Sequence, residues 1–222
     1  MQFRIENQPV FTTLTIDLTQ GESFKAEAGA MVSMTNTIEM KATGAGKGLF
    51  GSLKAAVGGE SVFASLYTAE RGPGELVLAP TLPGDIIRFD LQGTILAQAG
   101  AYLAGSPELE LSTQGSFKAM FAGEGLFLSK ISGNGIVFLN SYGAIYEKEL
   151  APGEQYIVDT GHIVAFQETV TYKLRKAAKG IFSSLASGEG LVCEYTGPGK
   201  IWIQTRNLSA LGAVLARFVS KS

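Results

Sequence analysis

The sequence predicts an all-β chain made of three fused copies of one β-sheet unit, with a pseudo-threefold arrangement, short loop helices and one C-terminal helix. Three observations lead there. Glycine supplies 28 of 222 residues, roughly twice the usual ~7%, without a collagen period or low complexity. Turns that frequent mean short strands. Segments rich in β-branched and aromatic residues lie between the turns, and three short motifs recur in one order along the chain.

The strands follow in sequence. Phe11–Leu18 alternates apolar and polar residues. Ser61–Ala69, Glu75–Ala79, Ile86–Leu91, Gly135–Leu139, Thr169–Leu174 and Lys200–Gln204 are strand-rich in composition. The one long helix is expected at 207–220: Asn207 is a good N-cap, and Leu208, Leu211, Leu215 and Phe218 follow at helical spacing.

The first motif is a turn followed by an acid: Gln20-Gly21-Glu22, Pro83-Gly84-Asp85 and Pro152-Gly153-Glu154. Leu18, Leu82 and Leu150 precede these turns. A second glycine follows eight residues later at Gly29 and Gly161, but sixteen later at Gly100, which reads as an eight-residue insertion in copy two. The second motif is Gly48-Leu49-Phe50, Gly125-Leu126-Phe127 and Gly180-Ile181-Phe182, each leading into a glycine turn and a strand. The third is Gly72-Pro73-Gly74 and Gly197-Pro198-Gly199, replaced in copy two by Tyr142–Tyr146. The copies run about 18–81, 82–149 and 150–206 within a single domain spanning 1–222. One such module cannot bury its apolar face alone; three together can.

The order of these motifs, with GLFGSLKAAVGGES in the first copy and GPGKIW near the end, resembles the altered-inheritance-of-mitochondria family. The resemblance covers nearly the whole chain. That family is similar in fold to the tryptophan RNA-binding attenuation protein, with three β units fused. It implies an all-β, double-sheet architecture and no defined activity. Its mitochondrial relatives are associated with inner-membrane organisation, a location the resemblance does not transfer to this chain.

Composition narrows the function classes. Hydrophobic residues make up 45% and charged residues 17%, with a net charge of -2. That balance gives no basic face for nucleic acid. One cysteine, Cys193, excludes an intrachain disulfide. The N-terminus has no apolar signal core, and no run of about 18 apolar residues exists. The expected location is the cytoplasm, with peripheral membrane contact open.

Catalytic chemistry is sparse. His162, the single histidine, reads as a turn residue, since a lone histidine cannot build a multi-histidine metal site. Cys193, matched to Phe63 and Phe138, reads as a small buried hydrophobe. Trp202, matched to Val77, reads as core. Thr43–Gly48 lacks the hydroxyl residue that a phosphate loop needs after its lysine. Glu22, Asp85 and Glu154 read as acids bonding turn amides, and the basic stretch Lys173–Lys179 is only local. No cofactor or metal is expected.

The best functional candidates are the Gly-Leu-Phe segments. Leu49, Phe50, Leu53, Leu126, Phe127, Ile181, Phe182 and Leu185 form a candidate contact surface. The sequence thus reads as a non-catalytic binding or scaffold protein, self-assembling or membrane-associated, with a homo-oligomer, a protein or a membrane as partner. A regulator binding RNA or a small ligand, and an enzyme with a histidine-poor site, remain open alternatives.

Overall fold

The computed structural model describes residues 1–43, 64–114, 127–176 and 191–219. They are mostly strand, as the composition predicts. The first group comprises β1 (Gln2–Glu6), β2 (Thr13–Leu18), β3 (Ser23–Glu27), β4 (Met31–Met34), β5 (Ile38–Thr43), β6 (Ala64–Ala69) and β7 (Gly74–Leu78). A middle group follows: β8 (Ile86–Gln98), β9 (Tyr102–Gly105), β10 (Glu110–Gln114) and β11 (Leu128–Asn140). The last comprises β12 (Ile145–Leu150), β13 (Gln155–Asp159), β14 (Ile163–Gln167), β15 (Thr171–Lys176), β16 (Leu191–Thr196) and β17 (Gly199–Gln204), then the helix α1 (Leu208–Leu215).

The order of strand pairings recurs. In the first group β2 pairs β7, which pairs β4, while β3 pairs β6, which pairs β5. In the last group β12 pairs β17, which pairs β14, while β13 pairs β16, which pairs β15. The middle group achieves the same with two 13-residue strands, β8 and β11, paired along their full length. The first half of β8 opposes the last half of β11, which also pairs β9. The second half of β8 opposes the first half of β11, which also pairs β10.

Two glycines make this continuity possible. Gly93 and Gly133 face each other across β8 and β11, with φ of 107° and 127°. Glycine takes such angles without a Cβ penalty, so both strands change direction without breaking the ladder.

This shifts the motifs of copy two. Gly93, not Gly84, stands between the two strand halves, where Gly21 separates β2 from β3 and Gly153 separates β12 from β13. Leu91 then takes the place given to Leu82: it opposes Gly135 as Leu18 opposes Gly74 and Leu150 opposes Gly199. Gly100 follows Gly93 by seven residues, so counted from Gly93 the eight-residue insertion is unnecessary. Gly133-Asn134-Gly135, not Tyr142–Tyr146, matches the Gly-Pro-Gly turns. Grouped by pairing, the strands span 13–78, 86–140 and 145–204. Gly84 has a different task. It bridges Phe11 and Gly143, and a Cβ there would lie 1.7 Å from the Ser141 carbonyl oxygen.

The strands form three sheets: β1-β2-β7-β4, β13-β16-β15, and a ten-stranded sheet running β12-β17-β14-β8-β11-β9-β3-β6-β5 with β10 beside β11. Alternating inward residues build three apolar clusters. One centres on Leu14, Ile16, Phe24, Leu76 and Phe138. Phe3 joins Phe24 and Phe138 there, with ring centroids 5.4 and 5.1 Å away in tilted geometry. The second holds Ile95, Ile131, Val137 and Trp202, and the third Ile163, Phe166, Cys193 and Tyr195. Each cluster takes residues from more than one group, which ties the groups together.

The helix is shorter than the expected 207–220. Its cap is the expected one: the Asn207 side chain accepts from the amides of Ser209 and Ala210. The expected loop helices lie outside the described residues.

Candidate interaction surface

The turn acids are held locally. Glu22 accepts from the Thr19 amide at 2.8 Å, and Glu154 from the Ala151 amide at 2.9 Å. These backbone bonds are the main cause that holds both carboxyls below their ordinary value. The N-terminal ammonium assists at Glu22 and Lys148 at Glu154. Asp85 instead accepts from Gln8 Nε2 and the Ile86 amide. Each carboxylate is engaged in its own turn. No group of three or more His, Cys, Asp or Glu among the described residues is placed to hold a metal ion.

His162 lies in a 3-10 turn, Thr160–His162, with Nδ1 2.8 Å from the Gln204 carbonyl oxygen. It is a bonded turn residue. Cys193 is fully buried, and burial is the first cause pushing its thiol up, so the reading as a small hydrophobe holds. Its counterparts differ from those expected. Cys193 opposes Val158 as Ser65 opposes Ala26 and Ser129 opposes Ala97. Small buried side chains, not phenylalanines, occupy that position. Trp202 is buried as expected; its Nε1 donates to Glu147 Oε2, and its ring meets Phe89 edge-on at 4.7 Å. Lys173 and Arg175 lie on β15, where Arg175 pairs with Glu194 at 3.2 Å. The hydroxyls of Tyr102 and Tyr195 are buried without a partner, and desolvation raises the pKa of both.

Of the predicted contact residues, Phe127 is half-buried and its carbonyl accepts from the Ala99 amide at 2.9 Å. Leu49, Phe50, Leu53, Leu126, Ile181, Phe182 and Leu185 lie outside the described residues. The described strands on either side of them pair up to Thr43–Ala64 (β5 with β6), Gln114–Leu128 (β10 with β11) and Lys176–Leu191 (β15 with β16), and these three strand pairs hold the same place in the pairing scheme.

Besides Val10 and Phe11, two exposed apolar features stand out among the described residues. The first is α1, which buries no residue; Leu208, Val214 and Leu215 are half exposed, and Phe218 beyond it is 81% exposed. Its start is fixed to the β13–β14 turn. Asn207 Nδ2 donates to Asp159 Oδ1, and a Cβ on Gly161 would sit 2.2 Å from that nitrogen. Glycine makes the room for the cap.

The second is the sheet edge at β4, where Met31, Val32 and Met34 are all exposed, with the edge strand β13 exposing Ile157. The sequence reading missed these residues. Their apolar composition is that of buried strands, and nothing in it signals an absent neighbour. An open hollow also lies between Glu149, Leu150, Glu154, Thr169 and Pro198. Glu154 on its rim is already paired with Lys148 at 2.9 Å. No described helix is long and apolar enough to cross a membrane.

The chain is similar to known proteins along its whole length. The family model described as mitochondrial biogenesis AIM24 matches residues 3–206. A protein of Streptococcus pyogenes serotype M6, named only as uncharacterized, is 34% identical, covering 100% of this chain and 92% of the relative. The X-ray crystal structure of a Streptococcus pyogenes protein superposes with a TM-score of 0.83 at 30% identity, covering 98% of this chain and 99% of the other.

Proposed function

The chain belongs to the mitochondrial biogenesis AIM24 family, and from that premise we propose that it works by binding, as a scaffold attached to a lipid surface through α1. The observation that carries this is the helix itself. α1 is apolar on nearly every side yet buries no residue in the chain. A helix apolar all round is stable when something covers it. Eight residues reach about 12 Å, well short of a bilayer core of about 30 Å, so α1 would lie in the interface. Arg206 and Arg217 flank it and suit a snorkelling position at the headgroups.

Vesicle sedimentation tests the reading. The full chain and a chain ending at Asn207 are mixed with neutral and anionic phospholipid vesicles. The full chain is expected to sediment with the anionic vesicles, and the shortened chain to stay in solution. Equal behaviour of the two chains would overturn lipid attachment through α1.

A further inference from the structure

The strand pairings contain the same junction twice and leave its two halves open a third time. At the first junction β3 pairs β9, with Lys25 opposite Gly105 and Ala26 opposite Ala104. At the second the later half of β8 pairs β14, with Leu96 opposite Phe166 and Ala97 opposite Ala165. Counted from Gly29, Gly100 and Gly161, Ala26 and Ala97 stand at one position and Ala104 and Ala165 at another. The register of the two junctions is therefore identical. A third junction of this kind would pair β13 with β4, but these strands instead end two different sheets.

Burial records what is missing. Leu103 of β9 and Val164 of β14 are 0% and 1% exposed, whereas Val32, at the same position in β4, is 60% exposed. β4 reads Met-Val-Ser-Met. It has no charge or proline to blunt the edge, and its register shift between Met31 and Ser33 recurs in β9 and β14, where it does not prevent pairing. β13 exposes its own free edge beside Ile157. The β1-β2-β7-β4 sheet thus ends on the surface that β13 fits, and the β13-β16-β15 sheet ends on the surface that β4 fits.

We infer that β4 of one chain pairs antiparallel with β13 of a second copy, reproducing the internal junction between molecules. The register sets Ser33 opposite Val158 and Met34 opposite Ile157. Because the two surfaces differ, the contact is head-to-tail and generates a ring or an open filament. The occupant is a second copy because the chain already contains two worked examples of this contact with its own sequence on both sides. The inference is independent of what α1 binds.

Light scattering over a range of concentrations, with two variants of the full chain, tests it. The parent chain is expected to show masses that rise as multiples of 23.4 kDa. Val32→Asp is expected to abolish that rise while its thermal midpoint, measured at dilution, stays unchanged. The doubly substituted Met34→Cys, Ile157→Cys chain, oxidised without reductant, is expected to run as a ladder of linked chains that collapses with thiol; Cys193 is buried and stays out of the exchange. A parent chain that remains a monomer at all concentrations would overturn the inference. So would assembly that survives Val32→Asp, or a double variant whose disulfide closes within one chain.

Discussion

β14 and β4 hold the same place in the pairing scheme, with Phe166 and Met34 each five residues past Gly161 and Gly29. One is buried throughout except for its last residue, and the other is exposed at all four positions. Their compositions do not explain this, since both are short apolar strands. What differs is the neighbour. β14 lies between β17 and β8, while β4 has β7 on one side only. Burial in a sheet belongs to the pair of strands, and a strand at an open edge waits on whatever pairs with it.

The sharpest break of this comparison is a matched truncation. Phe166 is fully buried and stacks edge-on with Tyr195 at 5.2 Å and Tyr172 at 5.3 Å. Phe166→Ala is expected to cost about 3–5 kcal/mol in denaturant unfolding. Met34→Ala, its counterpart, is expected to change stability by less than about 0.5 kcal/mol when measured on dilute protein. Equal losses would mean that β4 is covered within the chain. A second pair repeats the contrast on the neighbouring position: Leu103→Ala is expected to cost about 2–5 kcal/mol, and Val32→Ala to stay within about 0.5 kcal/mol.

A smaller effect separates α1 from the sheets. Asn207→Ala removes the acceptor for the Ser209 and Ala210 amides and is expected to cost about 1 kcal/mol. Hydrogen exchange would show the loss at those two amides while β16 and β17 keep their protection. Loss of protection across β17 as well would tie the helix to the core.

The smallest effect is acid-dependent. Glu154 titrates below the ordinary value of 4.5 in the folded chain. Its contribution is therefore complete above that value and fades as pH falls through the lower folded value. The group is exposed, so the effect is small. Glu154→Gln is expected to flatten the acid side of the stability profile slightly, with the two proteins converging at low pH. A change at neutral pH only, with the same acid slope, would contradict the role of the Ala151 bond.

Much of the strand pattern was legible from local chemistry. Alternation marks β2, the glycine-proline turns frame β7 and β17, and Asn207 marks the start of α1. The acid after a turn glycine predicts the bonds of Glu22 and Glu154. The full length of β8 and β11 was not legible, because glycines such as Gly93 and Gly133 commonly mark turns. They stop being turns only when each finds the other across a ladder, which is a long-range fact. The open edge was illegible for a related reason. Met31, Val32 and Met34 carry the signature of a buried strand, and a sequence does not record which neighbour a strand lacks.

The paired glycines carry a mechanical consequence. Where the outer groups turn a corner between separate strands, β8 and β11 run through as one doubled splice linking the half-sheets on either side. Tension applied along the chain would reach the outer hairpins first and peel them one at a time, because each is held by its own short ladder. The splice resists shear along 13 residues on each strand and would yield last. The amides of Ile95 to Ala97 and of Val137 to Leu139 should accordingly be the slowest in the molecule to exchange with solvent.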